Sequence, residues 1–249
     1  MSIPNPAIPP APVITGMADR AIAEVNLLED RYFTALADGT MSKEAFIATQ
    51  EQFYRGVDTS PREMAVLISR IPRHGDRLAI LRNIVEEHGD FHQAEFHVQS
   101  MRDFLTSLGS RTDPETIVEW PETDAFTMLM QGVCATAPLT LALACYGVME
   151  SVFADISTRI ARCVADRGWL PEDRIAHYSL HAEIDKEHAA GFYAVAEPGV
   201  HDPAERLLVE RGIALGLHAF RVYYRDLADH VLTAGADEVR EVALVAATP

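Results

Sequence analysis

The sequence predicts an all-α protein, a single-domain bundle of about eight or nine helices. Three observations lead there. Apolar residues recur three and four apart along most of the chain, the period of an amphipathic helix. These runs are punctuated by capping residues, glycines and prolines at intervals of one helix length. No segment shows the strict apolar/polar alternation of a half-buried strand, and no internal repeat is visible. With 249 residues, 48% of them hydrophobic, the chain can bury a full core.

In order, residues 1–14 carry Pro4, Pro6, Pro9, Pro10 and Pro12 and read as a flexible tail, with 15–249 as the helical domain. From about Met17 to Ala37, Val25, Leu28, Tyr32 and Leu36 keep helical spacing until Gly39 stops the run. Ser42 is the expected N-cap of a second helix carrying Phe46, Phe53 and Val57 and ending before Pro61. A short helix toward Pro72 follows. Another from about Asp76 carries Leu78, Leu81 and Val85 into Glu86 and Glu87, and Gly89 interrupts it. A helix from about His92 to Leu108 ends at Gly109. Next come a helix near Phe126, a long one from near Pro138 to about Asp166, and one after Pro171 that stops before Pro198. Asp202 and Pro203 read as N-cap and first residue of a last helix to about Leu232.

Charge and composition exclude several functions. The formal net charge is −16 and no basic stripe occurs, so neither a nucleic acid nor an anionic membrane is an expected partner. No apolar run reaches the ~18 residues of a membrane span. The first residues lack the basic and apolar regions of a secretory signal. Cys134, Cys145 and Cys163 are widely spaced within helical stretches, as suits reduced core thiols of a cytoplasmic protein.

The stretch HAEIDKEH, His181 to His188, carries the most chemistry. On a helix, positions i, i+4 and i+7 return to one face within roughly 60°. His181, Asp185 and His188 would therefore project together, with Glu183 and Glu187 turned away. Two imidazoles and a carboxylate on one stripe suit iron, manganese or zinc, although such stripes also occur on ordinary solvated helices. Glu150 is a second signal. It shares a face with Leu143, Tyr146, Gly147, Phe153 and Ala154, and no basic residue lies one turn away. Buried without a partner it costs several kcal/mol, so it must meet a cation, carry a proton or be more exposed than its neighbours. The segment from Glu86 to His97 also contains Glu87, His88, Asp90, His92 and Glu95, among which spacing does not choose. His88, His92 and Glu95 share a face only if the helix runs through Gly89.

Taken together these residues resemble the heme-oxygenase-like diiron oxidases, a family sharing its fold with heme oxygenase, the TenA thiaminases and the PqqC-type oxidases. The resemblance rests on Asn83, Glu87 and Gly89, on His97 twelve residues before Gly109, on the lone Glu150, and on His181, Asp185 and His188. It spans about residues 25 to 230. It implies a heme-oxygenase-like bundle in which Glu87, His97, Glu150, His181, Asp185 and His188 ligate two Fe(II) ions, or manganese, with Glu87, Glu150 and Asp185 as the catalytic carboxylates. Counting from Asn83 selects Glu87, while a variant of the pattern with one more residue before the glycine selects Glu86. The implied activity is O2-dependent oxidation through a peroxo-diferric species. The implied substrate is a small carboxylate-bearing metabolite, an amino acid or fatty acid, undergoing C–C cleavage, desaturation or N-oxygenation. Relatives that make 4-aminobenzoate from their own tyrosine have tyrosines where this chain has Phe33 and Thr49, so that activity is not expected.

On the last helix Arg221 falls in a stripe with Ala214, Leu217, Tyr224 and Ala228, with His218 beside it. Arg221, His218 and Tyr224 are therefore candidate substrate contacts, the guanidinium suiting a carboxylate. The plainer reading of Arg221 is a salt bridge between helices. Two further readings remain open: a metal-free or single-metal relative of the thiaminase type, and a non-catalytic module that binds metal or a partner protein. A homodimer is a further expectation, since bundles of this kind often pair.

Overall fold

A computed structural model describes residues 7–233, and all statements of absence below concern those residues. They form nine α-helices and no strand: α1 (Pro12–Val25), α2 (Arg31–Asp38), α3 (Lys43–Ser69), α4 (Leu78–Glu87), α5 (His97–Leu108), α6 (Pro121–Thr136), α7 (Leu139–Asp166), α8 (Ala176–Ala196) and α9 (Pro203–Thr233). Short 3-10 turns join several of them. Helix α7 is the spine, packed chiefly against α8 and α9, while α3 lies on α5 and α6, and α4 on α8. An 18-residue window of α7 is apolar enough to cross a membrane, yet 78% of it is buried inside the protein. Its apolarity is that of a core helix enclosed by others. The three cysteines are buried and unpaired.

Local signals place most helix ends. Ser42 Oγ accepts from the Ala45 amide at 3.1 Å, and Asp202 Oδ1 accepts from Ala204 and Glu205 at 2.8 and 3.2 Å, so both expected N-caps form. Four boundaries differ from expectation, each through a contact distant in sequence or a strained turn.

The first helix begins at Pro12, inside the stretch read as tail. Glu197, 184 residues away from Val13, accepts the backbone amides of Val13 and Ile14 at 3.0 and 2.9 Å. A carboxylate there satisfies two orphan donors and complements the helix dipole. Residues 1–6 of that tail and residues 234–249 of the domain lie outside the described residues.

The run read as one helix from Met17 to Ala37 is two helices, broken where Asn26 turns left-handed (φ 46°). Helix α3 continues through Pro61 and absorbs the expected short helix. Pro61 removes one amide donor. Thr59 Oγ1 donates to the Arg55 and Gly56 carbonyls at 3.0 and 3.3 Å, and Tyr146 Oη to that of Ser60 at 3.2 Å, so hydroxyls serve carbonyls of this turn. Finally, α5 starts at His97 rather than His92. Gly89, Asp90 and Phe91 take positive φ (54°, 50° and 71°), and the chain turns sharply between α4 and α5. A Cβ on Gly89 would lie 2.5 Å from the Glu95 carbonyl carbon, so only glycine fits.

Candidate metal centre

Helix α8 presents His177, His181, Asp185 and His188 on one buried stripe, and leaves Glu183 and Glu187 exposed. Glu87 ends α4 and His97 opens α5, and the turn at Gly89 brings them together with Oε1 and Nδ1 at 3.0 Å. The ring of His97 meets that of His181 edge-on, their centroids 4.8 Å apart. Glu150 comes from the middle of α7. The six residues fall into two groups, Glu87–His97–His181 and Glu150–Asp185–His188, in each of which potential ligand atoms all lie within 4.8 Å of one another.

Outer partners fix the rings. His181 Nδ1–H donates to Asp185 Oδ1 at 2.9 Å, which leaves Nε2 for a ligand. His188 Nε2–H donates to Glu86 Oε2 at 2.9 Å, which turns Nδ1 inward, 3.3 Å from Asp185 Oδ1 and 3.7 Å from Glu150 Oε2. Asn83 Nδ2 reaches Glu150 Oε1 at 3.5 Å. Of the two acids the family pattern left open, Glu87 thus joins the inner cluster and Glu86 orients His188 from outside. His88 donates to the Ile84 carbonyl and His92 is exposed; neither joins a cluster, and Gly89 breaks the stripe they would have shared with Glu95.

Burial pushes Glu87 and Asp185 up, but His97 beside the first and His181 beside the second outweigh it and hold both carboxyls below their ordinary values. Burial raises Glu150. It also opposes charge on His181 and His188. The acids around them prevail, and His181 is pushed up to about 9 and His188 to about 12. Without metal, these two imidazoles hold protons at neutral pH in the place a cation would take.

The donor set fits such a cation. His181 Nε2 and Asp185 Oδ2 are buried without a hydrogen-bond partner, and His97 Nδ1 and His188 Nδ1 face carboxylate oxygens at 3.0 and 3.3 Å without a well-directed hydrogen bond. A single buried polar group left unmet costs about 1–3 kcal/mol. Four together, all of ligand type and mixing imidazole with carboxylate but no thiolate, suit iron or manganese.

Three expected substrate contacts are corrected. Arg221 is exposed and pairs with Asp30, Nε to Oδ2 at 2.8 Å. His218 is exposed as well. The buried stripe of α9 runs through Ile213, Leu217, Phe220, Tyr224 and Ala228, one step round the helix from Arg221. Tyr224 packs in the aromatic core, its ring 4.9 Å from Tyr32 and 4.8 Å from Phe33, and it is Phe220 that reaches the cavity beside the centre. That cavity, of about 90 Å3, runs between α3, α6 and α7 to Glu87, Glu150 and His181.

Two polar residues near the centre escaped the sequence reading. His177 continues the α8 stripe one turn upstream, a spacing that was there to be read. Its Nδ1 is 2.9 Å from Ser100 Oγ, which donates to the His97 carbonyl, so Nδ1–H donates to Ser100 and Nε2 is left as an unmet acceptor. Burial holds His177 well below its ordinary pKa and keeps it neutral. The other is Glu63, whose neighbours in sequence gave no sign of it.

The role of Glu86 is testable. Glu86→Ala should weaken Fe(II) or Mn(II) binding by about 10–100-fold, the usual cost of losing a partner that orients a histidine ligand. Glu86→Gln, whose amide oxygen still accepts, should recover most of it. Competitive metal titration checks both, and equal affinity in all three proteins would remove Glu86 from the site.

A helical bundle that gathers two carboxylate–histidine groups at its centre defines a class, the metal-centred α-bundles. Within it, residues 48–221 match the profile of a family described as iron-containing redox enzyme, and the chain belongs to that family. The match covers more than half the chain and includes all six clustered residues. Among solved structures, similar ones include a CADD-like protein of unknown function from Nostoc punctiforme (17% identity, 89% of this chain and 98% of that one, TM-score 0.74). A TenA homolog from Pseudomonas syringae pv. tomato follows (15% identity, 91% and 97%, TM-score 0.67). A third is a domain of unknown function with a heme oxygenase-like fold from Shewanella denitrificans (15% identity, 88% and 90%, TM-score 0.63). Identities this low speak for the fold, which is heme-oxygenase-like. No curated protein matches the sequence.

Proposed function

We propose that this chain is a nonheme diiron oxidase that uses O2 to oxidise a small organic molecule held in the cavity beside Glu87, Glu150 and His181. The observation that carries the reading is the pair of buried carboxylate–histidine groups with four unmet ligand atoms, opening on an apolar cavity. Glu87, His97 and His181 would hold one ion and Glu150, Asp185 and His188 the other. Iron there supplies the electrons that reduce O2.

The protein's part is to hold, orient and exclude. Asp185 keeps the His181 ring in one tautomer through Nδ1–H, and Glu86 does the same for His188 through Nε2–H. Phe53, Phe126, Phe153, Phe220, Met130 and Met149 line the cavity and keep water from the reacting groups.

Metal uptake should release protons. His181 and His188, raised to about 9 and about 12, are protonated at pH 7 in the metal-free protein, and a bound ion takes the place of a proton on each. Close to two protons should leave these imidazoles at pH 7, and affinity should fall as pH drops. The effect on stability has the matching sign. A raised histidine pKa stabilises the metal-free fold fully below the unfolded value near 6.5, and that contribution is lost as pH rises toward about 9 for His181 and about 12 for His188. Metal-free protein should therefore lose Tm above pH ~6.5. Calorimetric titration in buffers of different ionisation enthalpy reads the proton count, and a count near zero would contradict the assignment.

The oxidase reading itself is tested with an oxygen electrode. Fe(II)-loaded protein should consume O2 faster with its substrate, and Zn(II)-loaded protein should consume none. Iron binding without ligand-dependent O2 uptake across a panel of amines, amino acids and fatty acids would point instead to a metal-binding module.

A further inference from the structure

Glu63 sits in the wall of the cavity on α3, 6% exposed, and belongs to neither group of clustered ligands. Its Oε2 lies 3.2 Å from Tyr146 Oη, whose single proton it shares with the Ser60 carbonyl, and Tyr146 accepts in turn from Ser60 Oγ at 2.9 Å. Its Oε1 is buried with no partner. No lysine or arginine lines the cavity. The nearest in sequence, Arg62, is exposed and bound to Asp58. Burial pushes this carboxyl up to about 7, outweighing Thr59, Tyr146 and the charge of Arg62, which draw it down only in part.

Position adds to this. Tyr146 and Glu150 are four residues apart on α7, so the Glu63–Tyr146 pair stands about one helical turn, roughly 5–6 Å, from the acid at the metal-facing end. A molecule held at Glu63 by its polar end would lay its next few carbons along Met149 and Phe153 toward Glu150 and His181.

We propose that Glu63, braced by Tyr146, is the anchor for a substrate ammonium group, and that the cavity therefore takes small apolar amines or amino compounds rather than fatty acids. For the anchored molecule to be a substrate, the inference rests on the oxidase reading; the binding itself needs no metal. An ammonium supplies the missing donor to Oε1 and a positive charge in direct contact with it, which Arg62, bound to Asp58, does not. A fatty acid would bring a fourth carboxylate to a cavity already lined by Glu63, Glu87 and Glu150.

The test is calorimetric binding of n-hexylamine and of hexanoate, alike in chain length, to the full chain with and without Mn(II). The wild-type protein should bind hexylamine at least about tenfold more tightly than hexanoate, as expected for a charge-assisted hydrogen bond in a buried site. Glu63→Gln should erase that preference, and Tyr146→Phe should reduce it. The wild-type preference is informative even if a variant fails to fold. Hexanoate binding as tightly as hexylamine, or hexylamine binding unchanged in Glu63→Gln, would overturn the proposal. Amine binding that depends on Glu63 in a protein that takes up no iron would uphold the anchor while removing the oxidase reading. Substrate-driven O2 uptake with fatty acids alone would do the reverse.

Discussion

His188→Ala and Asp185→Ala should each leave at most about one iron per chain and abolish substrate-dependent O2 uptake. Each substitution removes a ligand-type side chain outright, so the loss of affinity at that position should exceed the ~10–100-fold expected for an outer partner such as Glu86. His188 has a second consequence. It lies within 2.9, 3.3 and 3.7 Å of Glu86, Asp185 and Glu150, and is the one imidazole shared by those three carboxylates. Its removal leaves buried acids facing one another, a defect of about 3–5 kcal/mol when a buried partner is lost. The metal-free His188→Ala protein should therefore melt well below wild type and recover at low pH, where the acids are neutral. Iron content, O2 uptake and a melting curve measure all three effects. Full iron and full activity in either variant would remove these residues from the centre.

Gly212→Ala and Gly216→Ala should destabilise the fold while leaving every ligand-type side chain in place. Helix α9 approaches α7 closely at both positions. A Cβ on Gly212 would fall 2.3 Å from the Leu141 carbonyl oxygen and 2.9 Å from the Ala144 Cβ; on Gly216, 2.6 Å from Val148 Cγ1 and 2.7 Å from the Cys145 oxygen. Backbone atoms cannot rotate aside as a flexible side chain can, so the helices must part. Overpacking of this kind costs about 1–3 kcal/mol per site, or about 2–4 °C of Tm per kcal/mol in a chain of this size. Because α7 also carries Tyr146 and Glu150, the pair of substitutions should weaken metal and amine binding through the cavity wall. A wild-type Tm in the double variant would contradict this packing.

What could be read from the sequence was local, and apart from His177, whose helical spacing was legible, what escaped was long-range. The stripe of His181, Asp185 and His188 follows from helical period alone, and it is buried as one face of α8. The isolation of Glu150 was equally plain, because an acid among Leu143, Tyr146 and Phe153 has no local partner. The choice between Glu86 and Glu87 was not legible. It depends on the backbone reversal at Gly89 and on His188, 102 residues away from Glu86, lying across from it. Arg221 was misplaced because it stands at the edge of a buried stripe. One step of helical phase separates core from surface, and Asp30 on the N-terminal side of α2 decides the matter. The capping of α1 by Glu197 and the passage of α3 through Pro61 depend in the same way on groups far along the chain. Glu63 shows the limit most clearly. An acid beside Pro61 and Arg62 looks like part of a surface turn until α6 and α7 close over it.

The most direct test of the central claim is an anaerobic Fe(II) titration of the full chain followed by Mössbauer spectroscopy of the loaded protein. One group offers two histidines and a carboxylate, the other one histidine and two carboxylates. Saturation at about two irons per chain is expected, with two distinct high-spin ferrous signals of equal area, one of them lost in His188→Ala. Saturation at one iron, or a spectrum unchanged in His188→Ala, would contradict the claim.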